Sequence, residues 1–199
     1  MGNEHPILFT GEMVRAILDG RKTQTRRVIK PQPLCPSLRY YTHGREWKDG
    51  DGTLMKCPYG VSGDWLWVRE TWATPGNFDH MKPRDLVQSH YMSDLTAYRA
   101  TETHGDAYFR WRPSIFLPHW LARIKLGVVR VRAERVQGIS EKDVLAEGFP
   151  WRGIGAELQW GYRPPLVWFQ ALWDRINAKR GYGWDVNPWV WAVEFEVEQ

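Results

Sequence analysis

The sequence predicts an α+β protein: a small, partly closed β-barrel with short flanking helices and inserted loops. Its 199 residues fit one domain, and its helical segments are few and short. Several other segments alternate apolar and polar residues with the spacing of hairpins, which favours a small barrel. We therefore expect a single domain over residues 1–199, with insertions at 31–62 and 73–111.

The first elements follow from local signals. The apolar run Pro6–Phe9 predicts a strand. Thr10 can cap a helix over roughly 11–19, and Gly20 can end that helix in the left-handed conformation.

The middle of the chain is less regular. Residues 31–62 hold several Pro and Gly and show no sustained period, so we interpret them as an irregular insertion. A turn at Gly63-Asp64 leads into a dense strand signal at Trp65–Arg69. Residues 73–111 are polar and rich in His and Tyr, which indicates a second insertion.

Two elements are predicted after the second insertion. Ser140 and Asp143 resemble a capping box that opens a short helix, which Gly148 ends. Before them, residues 126–136 alternate as a strand, with one apolar face made by Val129, Val131 and Ala133.

The C-terminal part predicts a helix and a final strand. Pro164-Pro165 begins the helix, and Gly181 follows its end. The helix has an apolar face of Leu166, Phe169, Leu172, Trp173 and Ile176. The final strand alternates strictly and buries Trp189, Trp191, Val193, Phe195 and Val197. Its outward residues are Glu194, Glu196 and Glu198.

Composition excludes several protein classes. No apolar run approaches the roughly 18 residues that a membrane-spanning helix needs. The first residues lack the basic stretch and apolar core of a secretory signal. Two cysteines exclude a disulfide scaffold. We therefore expect a cytoplasmic protein that does not bind membranes.

Charge and aromatic content point to an anionic, planar ligand. The chain has a net charge of +4 and 13 Trp. Arginine binds phosphate through its planar fork, and Trp offers a face for stacking bases. Basic residues concentrate at 21–30 and 110–135, which favours a nucleotide or nucleic-acid partner, although a solvated face explains either segment alone.

The segment Gly20-Arg21-Lys22-Thr23-Gln24-Thr25-Arg26-Arg27 carries the most specific signal. Lys22 and Thr25 can form a base and a nucleophile, because a hydroxyl is inert until a base removes its proton. Lys22 must then be neutral near pH 7, which like charges and burial favour. The alternative is a basic loop that only binds anions.

This segment resembles the signature of the ASCH superfamily, a PUA-like β-barrel group associated with RNA and modified nucleosides. The resemblance continues in Gly63–Glu70, in Ile139–Gly148 and in the closing strand Trp189–Val197. With Trp111–Ser114 and Gly183–Trp189, the chain is similar to the longer ASCH proteins of phages and prophages.

The resemblance implies an amidohydrolase that removes the acyl group of N4-acetylcytidine. It implies Lys22 as proton acceptor, Thr25 as nucleophile and Glu147 as proton donor, with Arg27 closing the motif. Further candidates for substrate binding are Arg26, Trp65, Trp67 and Glu70. For Glu70, a structural ion pair with an arginine is an equal alternative, and core packing is an alternative for the tryptophans.

Other functions stay open. The chain can be a non-catalytic protein that binds RNA, DNA or a modified base, or a ribonuclease. The expected partner is a modified pyrimidine nucleoside or base, with single-stranded RNA or DNA as a further partner, and no cofactor or metal is expected. Cys35, His43 and Cys57 offer three zinc ligands, but no Cys-x-x-Cys pair and no fourth ligand accompany them.

Overall fold

The structure is a computed structural model, and it describes five stretches of the chain: residues 2–33, 38–41, 46–102, 110–150 and 165–198. The strands among them are β1 (Glu4–Leu8), β2 (Gln24–Val28), β3 (Leu38–Tyr41), β4 (Glu46–Asp49), β5 (Leu54–Met55), β6 (Trp65–Arg69), β7 (Trp72–Ala73), β8 (Ala97–Tyr98), β9 (Lys125–Arg135) and β10 (Trp189–Val197). The α-helices are α1 (Gly11–Leu18), α2 (His90–Leu95), α3 (Glu141–Ala146) and α4 (Pro165–Asn177).

The central feature is a five-stranded sheet in the order β1-β6-β9-β10-β2. The pair β1–β6 is parallel and the other pairs are antiparallel. This mixture of sheet and short helices confirms the α+β class. Closure into a barrel is not confirmed, because in the described ranges β1 and β2 are the two edges of the sheet and do not pair with each other.

The sheet carries apolar clusters on both faces. On one face, β10 packs against α1 through a cluster that includes Val14, Ile17, Trp191, Val193 and Phe195. On the other face it packs against α3 and α4 through a cluster that includes Val144, Phe169, Trp173 and Val190. Because both faces of β10 are covered, its first half is buried on both sides, which simple alternation does not predict.

The strand β9 differs from its predicted pattern because it contains a bulge. Glu194 pairs with Arg130 and Phe195 pairs with Val128, so that Val129 is passed over. A bulge adds one residue and reverses the alternation of the strand beyond it. Val129 is consequently 46% exposed, while Leu126 and Val128 are buried before the bulge. Beyond it, Val131 and Ala133 pack against the core as predicted.

Two further expectations about burial are wrong in part. In α4, Phe169 and Trp173 are buried, but Leu166 and Ile176 are exposed at the margins of the buried face. In β10, Val197 is 42% exposed, because the strand end lies beyond the last residue of the apolar cluster on that face.

The local signals at the helix ends are confirmed. The Thr10 side chain accepts a hydrogen bond from the Met13 amide at the start of α1. Ser140 and Asp143 form a complete capping box at the start of α3. Gly20, Gly148 and Gly181 all have positive φ.

The predicted insertions contain regular structure. Within 31–62, the strands β3, β4 and β5 form a separate sheet, so the interpretation of this segment as irregular is wrong. Within 73–111 lie α2 and β8, and β8 pairs with β7. Trp72, Leu86 and Met92 form a third apolar cluster there. A single domain over 1–199 stays a prediction, and no helix in the described ranges is long and apolar enough to cross a membrane.

Candidate functional site

The turn after α1 positions the basic segment. Gly20 has a φ of 71°, a left-handed conformation that Gly adopts without the steric cost of a Cβ. The amides of Arg21 and Lys22 both donate to the carbonyl of Ala16 at 2.9 Å. This turn ends the helix and directs the chain into β2, with Lys22 two residues before the strand.

The end of α3 lies beside this turn. Lys22 and Glu147 form an antiparallel backbone bridge, and the Thr23 amide donates to the carbonyl of Ala146 at 2.9 Å. Glu147 is the C-cap residue of α3, and Gly148 follows with a φ of 92°. The backbone therefore holds Lys22 next to Glu147 independently of their side chains.

The side chains of Lys22 and Glu147 form a buried ion pair. Lys22 Nζ donates to Glu147 Oε2 at 2.8 Å, to the Glu147 carbonyl at 2.9 Å and to the Gln24 carbonyl at 2.8 Å. The two side chains are 0% and 5% exposed. All three donors of the ammonium group are thus satisfied inside the protein.

Burial lowers the pKa of Lys22. Desolvation is the largest cause, because removal from water penalises the charged amine. The negative charge of Glu147 and its hydrogen bond oppose this effect, whereas the positive charges of Arg27 and Arg26 add to it. A lowered pKa is the property that a lysine needs in order to accept a proton near neutral pH.

Arg26 holds the other side of the Glu147 carboxylate. Its Nη1 donates to Glu147 Oε1 at 3.2 Å, and its Nε donates to Glu134 Oε1 at 2.9 Å. Its Nη2 lies 3.3 Å from Asp143 Oδ2, and the Arg26 side chain is 0% exposed. Each oxygen of Glu147 therefore accepts from a different cation, which fixes the plane of the carboxylate.

Asp143 couples this cluster to the start of α3. Burial opposes ionisation of its carboxyl, but hydrogen bonds from Ser140 and Gln24 and the charge of Arg26 outweigh burial and lower its pKa to about 2. Asp143 is thus both the N3 residue of the capping box and a partner of Arg26. Loss of this carboxylate would remove both the capping box and one anion beside Arg26.

A cavity of about 310 Å³ opens beside this cluster. Thr25 and Glu147 line it, and Lys22 contacts it only through its ion pair with Glu147. Thr25 is 3% exposed, and its hydroxyl makes no hydrogen bond to any described residue, so it is free to contact a ligand. The aromatic part of the lining comes from Tyr59, Phe169, Trp173 and Trp191.

Arg27 lies on the same face of β2 as Thr25. Its Nη2 donates to the carbonyl of Leu8 on β1, and its guanidinium lies 5.1 Å from the centre of the Phe9 ring. Desolvation lowers the pKa of Arg27, and its buried Nε has no hydrogen-bond partner within the described part of the chain. Arg27 is also one of the residues that line the cavity.

Five of the predicted site residues meet at this cavity or directly behind it: Lys22, Thr25, Arg26, Arg27 and Glu147. Trp65 and Trp67 do not. Alternation along β6 directs its aliphatic residues into the core and these two rings to the opposite face, where Trp65 packs under Lys125 and Trp67 against His119. The expectation that an aromatic residue from 65–72 lies beside Lys22 is wrong.

Glu70 also lies away from the cavity. Its carboxylate accepts from Arg123 Nε at 2.8 Å and from Arg123 Nη2 at 3.0 Å, and Glu70 is 1% exposed. Such a bidentate pair fits the structural alternative for Glu70 rather than a substrate-binding role. Trp72, two residues further on, is fully buried in the third apolar cluster.

Internal ion pairs neutralise part of the second basic segment, 110–135. Among the described residues, three of its seven basic residues contact carboxylates: Arg123, Lys125 and Arg132. The local excess of positive charge that the sequence indicates is therefore reduced in the fold but not removed.

The hypothetical zinc ligands are only partly described. Cys35 and His43 lie outside the described residues, and burial raises the pKa of the Cys57 thiol to about 12. A thiol of this kind stays protonated and is a poor metal ligand.

Sequence reasoning missed several residues of the cavity: Tyr59, Trp173, Trp191 and Arg180. Tyr59 comes from the segment that we interpreted as an irregular insertion. Trp173 and Trp191 were assigned to core faces, and both do belong to apolar clusters, but they also line the cavity. Arg180 precedes Gly181 at the end of the short helical segment that follows α4, where a basic residue is the ordinary partner of the helix dipole.

The fold and the site define an α+β protein with a buried Lys–Glu–Arg cluster behind a small basic cavity with aromatic walls. Solved structures similar to the chain include a protein from Enterococcus faecalis V583 described by the family model DUF984. The identity is 10% and the TM-score 0.44, over 99% of this chain and 81% of that protein. They also include an ASCH domain from Lactobacillus crispatus JV V101, with 11% identity and a TM-score of 0.41, over 98% of this chain and 79% of that domain.

The ASCH family, which the sequence motifs resemble, is thus present among the similar solved structures. No protein-family model and no curated protein matches the sequence.

Proposed function

We propose that the protein hydrolyses the N4-acyl amide of a modified cytidine or cytosine in the cavity beside Thr25. One observation carries the proposal: Thr25 and Glu147 line the same cavity, and the Glu147 carboxylate accepts a hydrogen bond from Lys22 at 2.8 Å. A nucleophile, a carboxyl group and a lysine of lowered pKa are the groups that an acyl transfer needs.

The proposed reaction has two steps. Thr25 Oγ1 attacks the amide carbonyl carbon and gives its proton to Lys22, and the bond to N4 breaks while Glu147 protonates the leaving amine. Water then hydrolyses the acyl ester on Thr25 and releases the carboxylic acid. The sum is one water consumed, one amide broken and one amine and one acid formed.

The contact between Lys22 and Glu147 supplies both proton-transfer groups. In the charged pair, Lys22 carries the proton that a base must lack, and Glu147 lacks the proton that an acid must have. Transfer of one proton across the 2.8 Å contact gives a neutral amine and a neutral carboxylic acid together. Burial supports this exchange at Lys22, because desolvation lowers the pKa of its amine.

The cavity suits a planar base with a polar edge. Its volume of about 310 Å³ is at the lower end of the range for ligand pockets, roughly 300–1,000 Å³, and aromatic rings form much of its wall. Arg27 also lines the cavity, and its positive charge would stabilise the oxyanion that forms on the attacked carbonyl.

A partly closed, PUA-like barrel belongs to the same proposal. The hydrogen bond from Arg27 to the Leu8 carbonyl joins the two edge strands of the sheet through a side chain. This contact supports closure at the position where the backbones of β1 and β2 do not pair.

A second candidate function is non-catalytic binding of a modified base in RNA or DNA. The hydrogen bonds of Lys22 favour this function, because all three donors of its ammonium group have acceptors inside the protein. Such a group can stabilise the fold without taking part in catalysis. The cavity, its aromatic walls and its basic residues would then only recognise the modified base.

Incubation of the protein with N4-acetylcytidine tests the proposal. Conversion of the absorbance spectrum to that of cytidine is the expected result. Binding of N4-acetylcytidine without turnover, measured by calorimetry on the same preparation, would contradict hydrolysis and support the binding function.

A further inference from the structure

Three cations at the cavity have no acidic partner. Arg27, Lys30 and Arg180 all line it, and none of them forms an ion pair with a carboxylate in the described ranges. Lys22 and Arg26, by contrast, both contact Glu147. The positive charge of the site is therefore concentrated in these three residues, which we name the cationic cluster.

The members of the cationic cluster come from different elements and are held close together. Arg27 belongs to β2, Lys30 follows that strand, and Arg180 ends the helical segment after α4. The charge of Arg180 contributes to the lowered pKa of Arg27, so the two guanidinium groups repel each other. Lys30 Nζ lies 5.1 Å from the centre of the Tyr182 ring, which places it near the residue two positions after Arg180.

At Arg27, the charges of Tyr59 and Glu147 oppose the effect of Arg180 on the pKa. Lys30 and Arg180 are exposed, and neither forms an ion pair with a described carboxylate. Their positive charges are therefore available to an anion that enters the cavity.

We infer that the cationic cluster of Arg27, Lys30 and Arg180 binds a phosphate group of the substrate, so that the substrate class is a phosphorylated cytidine rather than a free nucleoside. The identity of the base rests on the proposed function, whereas the phosphate site does not. Because the cationic cluster and Thr25 line one cavity, one molecule can place its base at Thr25 and its phosphate at the cationic cluster.

Phosphate fits the cationic cluster better than a carboxylate does. A phosphate monoester carries close to two negative charges at neutral pH and accepts hydrogen bonds on three oxygens, which matches the three cations of the cluster in number. Arginine binds it through two parallel N–H groups and lysine through a single point charge. The source of the phosphate is a free nucleotide or a nucleotide unit of a polynucleotide.

Calorimetric binding of cytidine and of cytidine 5′-monophosphate tests the inference without any need for turnover. The native protein is expected to bind the monophosphate at least about tenfold more tightly than cytidine, since charge-assisted hydrogen bonds contribute at this level. Lys30→Gln and Arg180→Gln should each reduce this ratio several-fold. Arg130→Gln is the control, because Arg130 is exposed on β9 and lines a different cavity; it should retain the native ratio.

Comparison of an oligocytidylate with the monophosphate identifies the source of the phosphate. An oligocytidylate without terminal phosphate that binds more tightly than the monophosphate, with a steep salt dependence, assigns the phosphate to a polymer backbone. Tighter binding of the monophosphate assigns it to a free nucleotide.

Equal affinity of the native protein for cytidine and its monophosphate would overturn the inference, even if N4-acetylcytidine is hydrolysed. Loss of the affinity ratio in Arg130→Gln to the same extent as in Arg180→Gln would also overturn it. A preference for the monophosphate that depends on Lys30 and Arg180, in a protein that hydrolyses no N4-acyl amide, would support the phosphate site and contradict the proposed function.

Discussion

Lys22 and Glu147, which lie 125 positions apart in the sequence, meet at 2.8 Å between Nζ and Oε2. The contact depends on two helix ends that each stop at a glycine of positive φ, Gly20 after α1 and Gly148 after α3. A backbone bridge between the two residues holds the contact in place. The ends of these two helices therefore form the candidate site as much as its polar side chains do.

Removal of one partner of this buried pair should lower the free energy of unfolding substantially. Glu147→Gln leaves the Lys22 ammonium without its anion, and we expect a loss of about 3 kcal/mol in the free energy of unfolding. The double variant Lys22→Met, Glu147→Gln should lose less than the sum of the two single variants, because no unpaired lysine remains. Urea unfolding of the two single variants and the double variant measures these losses in the free energy of unfolding. Additive losses would show that the two side chains do not interact.

Gly148 should be intolerant of a side chain. A Cβ at Gly148 would lie 3.1 Å from both the Ala16 Cβ and the Lys22 Cβ, at a φ of 92°. Gly148→Ala should therefore cost the left-handed strain of about 1–2 kcal/mol and an additional steric cost. Gly20→Ala carries the same kind of strain, but its Cβ would meet no atom within 4 Å.

Thermal unfolding of both glycine variants measures the difference. The Gly148→Ala protein should melt at the lower temperature and should also lose activity, because Lys22 shifts. Equal melting temperatures for the two variants would contradict close packing of Gly148 against Lys22.

Asp143 should make the free energy of unfolding depend on pH in the acid range. Its pKa in the folded protein is about 2, below the ordinary value of 3.8, so its contribution to stability is complete above pH 3.8 and is lost as the pH falls through about 2. A shift of this size corresponds to about 2 kcal/mol. Asp143→Asn should remove that contribution.

Urea unfolding between about pH 5 and pH 2 tests this assignment. The native protein should lose more stability across the interval than Asp143→Asn does. Parallel curves for the two proteins would show that another carboxylate carries the acid sensitivity.

Glu70 should matter for stability and not for turnover. It pairs with Arg123 through two hydrogen bonds and lies outside the cavity lining. Glu70→Gln should lower the free energy of unfolding by about 2 kcal/mol, since a buried charged hydrogen bond is weakened. Its kcat/KM on N4-acetylcytidine should stay near the native value. A large loss of kcat/KM at unchanged KM would show that Glu70 takes part in catalysis.

The sequence predicts features of this protein that depend on short-range chemistry. Thr10, Ser140 and the glycines at 20 and 148 act within one turn of chain, and the structure has each of them in the expected role. Such signals need only the geometry of a helix end, which is the same in every fold.

Features that depend on tertiary packing could not be predicted in the same way. In β6, the first four residues are all apolar, so alternation among them cannot say that Leu66 faces the core while Trp65 and Trp67 face away. Gly127 lies two positions before the bulge at Val129, but a glycine inside a strand does not by itself fix the position of a bulge. Tyr59 reaches the cavity from a segment without a clear period.

The central claim is that Thr25 is the nucleophile of an N4-acyl hydrolase. Turnover of N4-acetylcytidine by Thr25→Val, compared with Thr23→Val, tests it most directly, because both variants lose one hydroxyl from neighbouring positions. Thr23 is exposed and does not line the cavity. We predict that Thr23→Val retains turnover and that Thr25→Val loses it while keeping its melting temperature. Turnover by Thr25→Val at the rate of Thr23→Val would contradict the claim.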